Sequence, residues 1–167
     1  MPLKRDPRLQ PISREHHHLL VLAQLLKRGA PAYPTLPTDA PGKRAYALQE
    51  FHRRIVPLWK VEEQVLYPAL KGVNPVLDQW TLFLAGENRR ISNLLLNLPP
   101  HLQTDGQPPT EEDEPLVAAL DFLGNELERH VRVKERQFFE EVQVMADNQL
   151  PDNLEGVLAQ QKSAQDN

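Results

Sequence analysis

A run of three histidines, His16 to His18, is the first place in this chain where side chains able to hold a proton or a metal ion stand together. Successive helical residues point about 100° apart, so the three cannot all face a core. His16 is the inward one. It shares a face with Ile12, Leu19, Leu20 and Ala23, whereas His17 goes with Ser13 and Gln24, and His18 with Arg14. Further along, Glu62 lies on the apolar stripe Leu48, Phe51, Ile55, Leu58, Leu66 and Ala69. Glu63 falls on the neighbouring strip with Val56, Trp59 and Tyr67, where a carboxylate is ordinarily solvated. His130 shares a face with Ala119, Leu123, Leu127 and Val133, and Lys134, one turn on, sits between Leu127, Val131 and Phe138. Two histidines, a carboxylate and a lysine are therefore expected to converge from three helices. A carboxylate in apolar surroundings is costly unless a cation neutralises it, a metal binds it or a proton discharges it. The chemistry to expect is a metal site or a buried ion pair.

The elements that must position these residues read as helices, because apolar residues recur every three or four positions and period-two alternation is absent. The first helix spans about Ile12 to Arg28 and ends at Gly29. Residues 30–42 carry Pro31, Pro34, Pro37 and Pro41 and read as a surface loop. A second helix, about Lys43 to Leu70, contains Pro57, which should kink it, and ends before Gly72 and Pro75. A third runs from Pro75 to Leu98. Residues 99–113 are polar, acidic and proline-rich, the composition of a mobile connection. A fourth helix follows to Met145, with Asp113 as N-cap and Pro115 in its first turn. The reading is an all-α, up-down-up-down four-helix bundle over residues 9–146, with a tail at 147–167 that adds a short helix. LWKVEEQVLY (Leu58 to Tyr67) and HVRVKERQFF (His130 to Phe139) align by size or charge at every position but the first and fifth. A helix pair used twice explains this most simply.

Composition narrows the function classes. With 19 basic and 23 acidic residues the net charge is −4 and the pI about 5.9, which leaves no general field toward nucleic acid or anionic membrane. The absence of cysteine removes disulfides, thiolate metal sites and thiol catalysis, so any metal must rest on His, Asp and Glu. No apolar stretch is long enough to cross a bilayer or to form a signal-peptide core, and the reading is a cytoplasmic protein. No nucleophile elbow or phosphate loop occurs, and the chain is not read as an enzyme. Trp59, Trp80 and Tyr67 read as core aromatics.

SREHHHLLVLA (Ser13 to Ala23), PLWKVEEQVLYPAL (Pro57 to Leu70), GENRRISNLLL (Gly86 to Leu96) and ERHVRVKERQFF (Glu128 to Phe139) resemble, in order and spacing, the four helix motifs of the hemerythrin-like (HHE cation-binding) family. The resemblance covers roughly residues 9 to 146. It implies a four-helix bundle with a non-haem di-iron centre, and oxygen, redox or nitric oxide responses. Carried over by position, His16, Glu62 and His130 match family ligands, and Glu135 matches a variant spacing. Leu58 and Asn88 stand where the family has histidines, Ser92 is one turn beyond Asn88, and Lys134 stands where it has a carboxylate. Such a set is too poor for two bridged irons. Two readings stay open. His16, Glu62, His130 and Glu135 hold a single iron, manganese or zinc ion that takes a small gas ligand, or Lys134 neutralises Glu62 and the bundle is a metal-free module that either dimerises or docks on a partner protein through an exposed helix face.

Overall fold

A computed structural model describes residues 4–100 and 113–166, which form five helices and no strand. Helix α1 spans Gln10–Leu26, α2 covers 40–70, α3 is Pro75–Leu96, α4 covers 114–145 and α5 is Leu154–Gln165. Most of the connection expected at 99–113 lies outside the described residues. Helices α1 to α4 enclose one core of residues such as Ile12, Leu58, Leu84, Leu127 and Phe138, all fully buried. No helix among the described residues is long and apolar enough to cross a membrane.

The helix starts lie slightly upstream of the sequence reading, for a local reason. Pro11 and Pro41 both fall in a first turn, where a missing N–H costs nothing and the fixed φ suits a helix. Asp39 caps α2 by accepting from the Gly42 N–H at 2.8 Å. Gly72, at φ +77°, turns the chain out of α2 in a backbone conformation that costs glycine little.

Helix α2 does not simply bend at Pro57. The turn before it, Phe51–Ile55, is widened to a π-turn in which the Val56 N–H reaches the Phe51 carbonyl. A ring that would crowd the preceding turn of a regular helix is thus given room. Two more π-turns occur, at Glu62–Leu66 in α2 and Lys134–Phe138 in α4. They open at the same position of the two repeated segments, so the repetition in sequence is a repetition of backbone. Such turns recur at functional sites because the extra residue re-aims side chains into the core.

Helices α1 and α4 approach closely at Gly124, where a Cβ would lie 2.6 Å from the Ala23 carbonyl oxygen. That neighbour is helix backbone and cannot swing away. Gly124→Ala is therefore expected to lower stability by about 1–3 kcal/mol despite alanine's better helix propensity. Urea denaturation checks this, and an unchanged or raised midpoint would contradict it.

The tail supplies a full helix. Leu154 and Leu158 of α5 are buried, and Lys162 pairs with the buried Glu15, which also takes Arg54 at 3.2 Å. This helix packs on α1 and on the middle of α2.

Candidate functional site

The four helices deliver one buried polar network to mid-bundle. His16 comes from α1, Glu62 from the second π-turn of α2, Asn88 from α3, and His130 with Lys134 from α4. All five side chains are buried, and Glu62 and Lys134 have no exposure at all. The helix phases read from sequence hold here: His16, Glu62 and His130 point inward, and His17 and His18 lie on the surface.

Lys134 Nζ donates to Glu62 Oε2 at 2.5 Å and to Asn88 Oδ1 at 3.2 Å. The ammonium also lies 5.6 Å from the Trp59 ring centroid, within cation–π range. His16 bridges two carboxylates, with Nε2 3.2 Å from Glu62 Oε1 and Nδ1 2.5 Å from Glu135 Oε1. Ionised carboxylates only accept, so with Glu62 and Glu135 both charged the two contacts call for a proton on each ring nitrogen, which is the imidazolium form of His16. Asn88 uses three of its four hydrogen-bonding positions. Its Oδ1 accepts from Lys134 and from His130 Nε2–H at 2.8 Å, and its Nδ2 donates to Glu63 at 2.8 Å.

Glu135 is the outermost member. It also accepts from Ser13 Oγ at 2.9 Å and from Arg5, which lies over the Phe139 ring at 5.0 Å, while Phe139 stacks on His16. Charges alternate along the chain Arg5, Glu135, His16, Glu62, Lys134, so every buried charge has an opposite neighbour. That alternation makes so much buried charge tolerable.

Proton affinities follow from these contacts. Burial disfavours a charged His16, but Glu135 and then Glu62 outweigh it and hold its pKa above the ordinary 6.5. Burial would raise Glu62, yet the Lys134 charge and His16 bring it below the usual 4.5. Glu135 is lowered likewise, with burial opposed chiefly by His16. Burial pushes Lys134 below its usual value, against the pull of Glu62. His130 is driven far down by burial and then by Lys134, so it is neutral and donates through Nε2.

The signs predict a stability window. Glu62 and Glu135 are depressed, so their contribution is complete above pH 4.5 and is lost as pH falls through their folded values. His130 is depressed too, and as a base held neutral in the fold its contribution is complete above pH 6.5 and is lost as pH falls below it. His16 is raised, so its contribution is complete below pH 6.5 and is lost as pH rises through its folded value. The urea midpoint should peak near pH 6.5, where the His130 contribution is complete and that of His16 begins to be lost. A midpoint higher at pH 5 than at pH 6.5 would contradict it.

Of the four candidate metal ligands, all join this network, but they are not gathered on one point. Glu62 and Glu135 lie on opposite edges of the His16 ring, and the Nε2 of His130 carries a proton directed at Asn88. Lys134 Nζ lies where Glu62 would meet an ion. Among the described residues no three His, Asp or Glu side chains are arranged to hold one. The residues present therefore do not fit a metal centre in this arrangement. Asn88 emerges as the hub, although by sequence it reads only as a missing histidine. Its phase with Leu84, Ile91 and Leu95 is the signal that could have found it. Arg5 has no such signal.

Fold and site together define an all-α bundle that builds its polar centre from side chains on facing helices. The family described as hemerythrin HHE cation binding domain matches residues 9–142, and the chain belongs to that family. No match was found among curated proteins or solved structures.

Proposed function

We propose that this chain is a metal-independent member of the hemerythrin family, in which Lys134 supplies from within the protein the positive charge that a bound cation supplies elsewhere, and that it acts as a binding module through its surface rather than as an enzyme. The observation that carries the reading is the Lys134–Glu62 pair, at 2.5 Å with neither side chain exposed. An ammonium and a divalent ion cannot share that position. Binding there would first require expelling Lys134, leaving an uncompensated ammonium in an apolar core. Asn88 supports the reading further, because its three hydrogen bonds leave it committed to a lysine, a neutral histidine and Glu63.

Elemental analysis of protein purified without a histidine tag, with its visible spectrum, tests this. The expected result is far less than one iron, manganese or zinc per chain and no ligand-to-metal charge-transfer band. Stoichiometric metal that is lost on mutation of His16 or Glu62 would establish the single-ion reading instead.

A further inference from the structure

The outer faces of α3 and α4 carry the same pattern twice. On α3 it is Phe83, Glu87, Arg90, Leu94; on α4 it is Phe122, Glu126, Arg129, Val133. Both have spacing four, three, four, which places each set along one side of its helix. The helices run antiparallel, so each strip lies beside the other reversed. Glu87 meets Arg129 at 2.9 Å, and Arg90 meets Glu126 in a close pair. At one end Phe122 stands by Leu94 above a groove of about 370 Å³ that Leu98 and Ala119 help to line. Toward the other end Phe83 meets Trp80 edge to face at 6.1 Å between ring centroids, with Val76 two turns before it. Phe83 and Phe122 are 48% and 52% exposed, large for aromatic rings on a surface.

This face is electrically neutral in its centre, apolar toward both ends, and reads the same in either direction. Those are the requirements of an isologous contact, in which one patch must complement itself. A two-fold rotation about either axis lying in the face sets Arg90 against a partner Glu and Arg129 against the other partner Glu. The same rotation sets each phenylalanine against an aliphatic residue. Both guanidinium groups remain partly exposed and available, and arginine and aromatic side chains are the types enriched in such contacts. Gly86, between Phe83 and Arg90, has open space above it and lets a second backbone approach.

We infer that a second copy of this chain docks on the α3–α4 face, with the two-fold axis through the Glu87–Arg90–Glu126–Arg129 cluster. The inference names the partner for the surface-acting module proposed above and rests on that reading, but the two fail separately.

Sedimentation velocity at concentrations up to about 100 µM, where weak dimers are populated, tests it on the intact chain. The native protein is expected to sediment as a dimer. Phe83→Asp and Phe122→Asp, at opposite ends of the face, are each expected to weaken association at least tenfold while helical circular dichroism is retained. Leu94→Cys mixed with Phe83→Cys or with Phe122→Cys, the phenylalanines that the two alternative axes set against it, gives an independent readout, because the native chain has no cysteine. Cross-linking between chains in either mixture supports the assignment even if an aspartate variant folds poorly. A native monomer throughout the range overturns it, as does a dimer that neither aspartate substitution weakens. A dimer on this face that also contains stoichiometric metal would support this inference and defeat the metal-independent reading.

Discussion

Lys134→Ala is expected to destabilise the protein by about 3–5 kcal/mol, the cost of removing one member of a buried ion pair. Glu62 has no exposure and would keep only His16 as a charged neighbour, and Asn88 Oδ1 would lose one of its two donors. The carboxylate would then have to take up a proton in the fold, so the loss should be larger at neutral pH than in mild acid. Equilibrium urea unfolding at two pH values measures both effects. The companion variant separates a broken pair from an absent one. Glu62→Leu with Lys134→Met removes both charges at similar volume, and it should recover most of the loss, because replacing a buried pair by packed apolar groups is often neutral or better. If Lys134→Ala is nearly silent, or the double variant is no better than the single, the pair is not what satisfies Glu62.

Lys134→Glu should have a different and equally large effect. It sets two carboxylates face to face with no exposure, where like charges a few ångströms apart cannot both ionise. Without added metal the variant should be much less stable than the native chain. Manganese or zinc should then rescue it, since a cation binding only the folded form adds about 2.7 kcal/mol at one hundred times its dissociation constant. Adding Leu58→His should strengthen the rescue, because it places an imidazole one turn before Glu62, at the position His130 holds before Lys134 in the other repeat. Thermal unfolding with and without metal is the measurement. A variant as stable as the native chain in chelator, or one whose midpoint ignores both metals, would show that position 134 does not occupy a cation site.

The contrast between the two repeats is where sequence reading reached furthest. Glu62 and Lys134 hold the fifth place of LWKVEEQVLY and HVRVKERQFF, and each lies on its helix's apolar stripe, so their pairing was legible from alignment and phase alone. The inward turn of His16 and His130 and the outward turn of His17 and His18 were legible too, because a helix's period links each side chain to an apolar stripe. The π-turns themselves were not, since a single extra residue leaves the hydrophobic pattern almost unchanged.

By itself, then, the chain's pattern of apolar residues, prolines and glycines determined four helices, their order, and that His16, Glu62, His130 and Lys134 would be buried, while the family was read from the resemblance of four motifs. Local periodicity and chain stiffness carry that information. Only the tertiary structure decided who meets whom: that Asn88 joins His130, Lys134 and Glu63, that Glu135 lies across the His16 ring from Glu62 under Arg5, and that α5 lies on α1 and α2 through Lys162 and Glu15. Those contacts join residues distant in sequence. Their geometry depends on how far each helix is rotated and shifted against its neighbours, a matter of packing the whole core at once that no single helix's pattern contains.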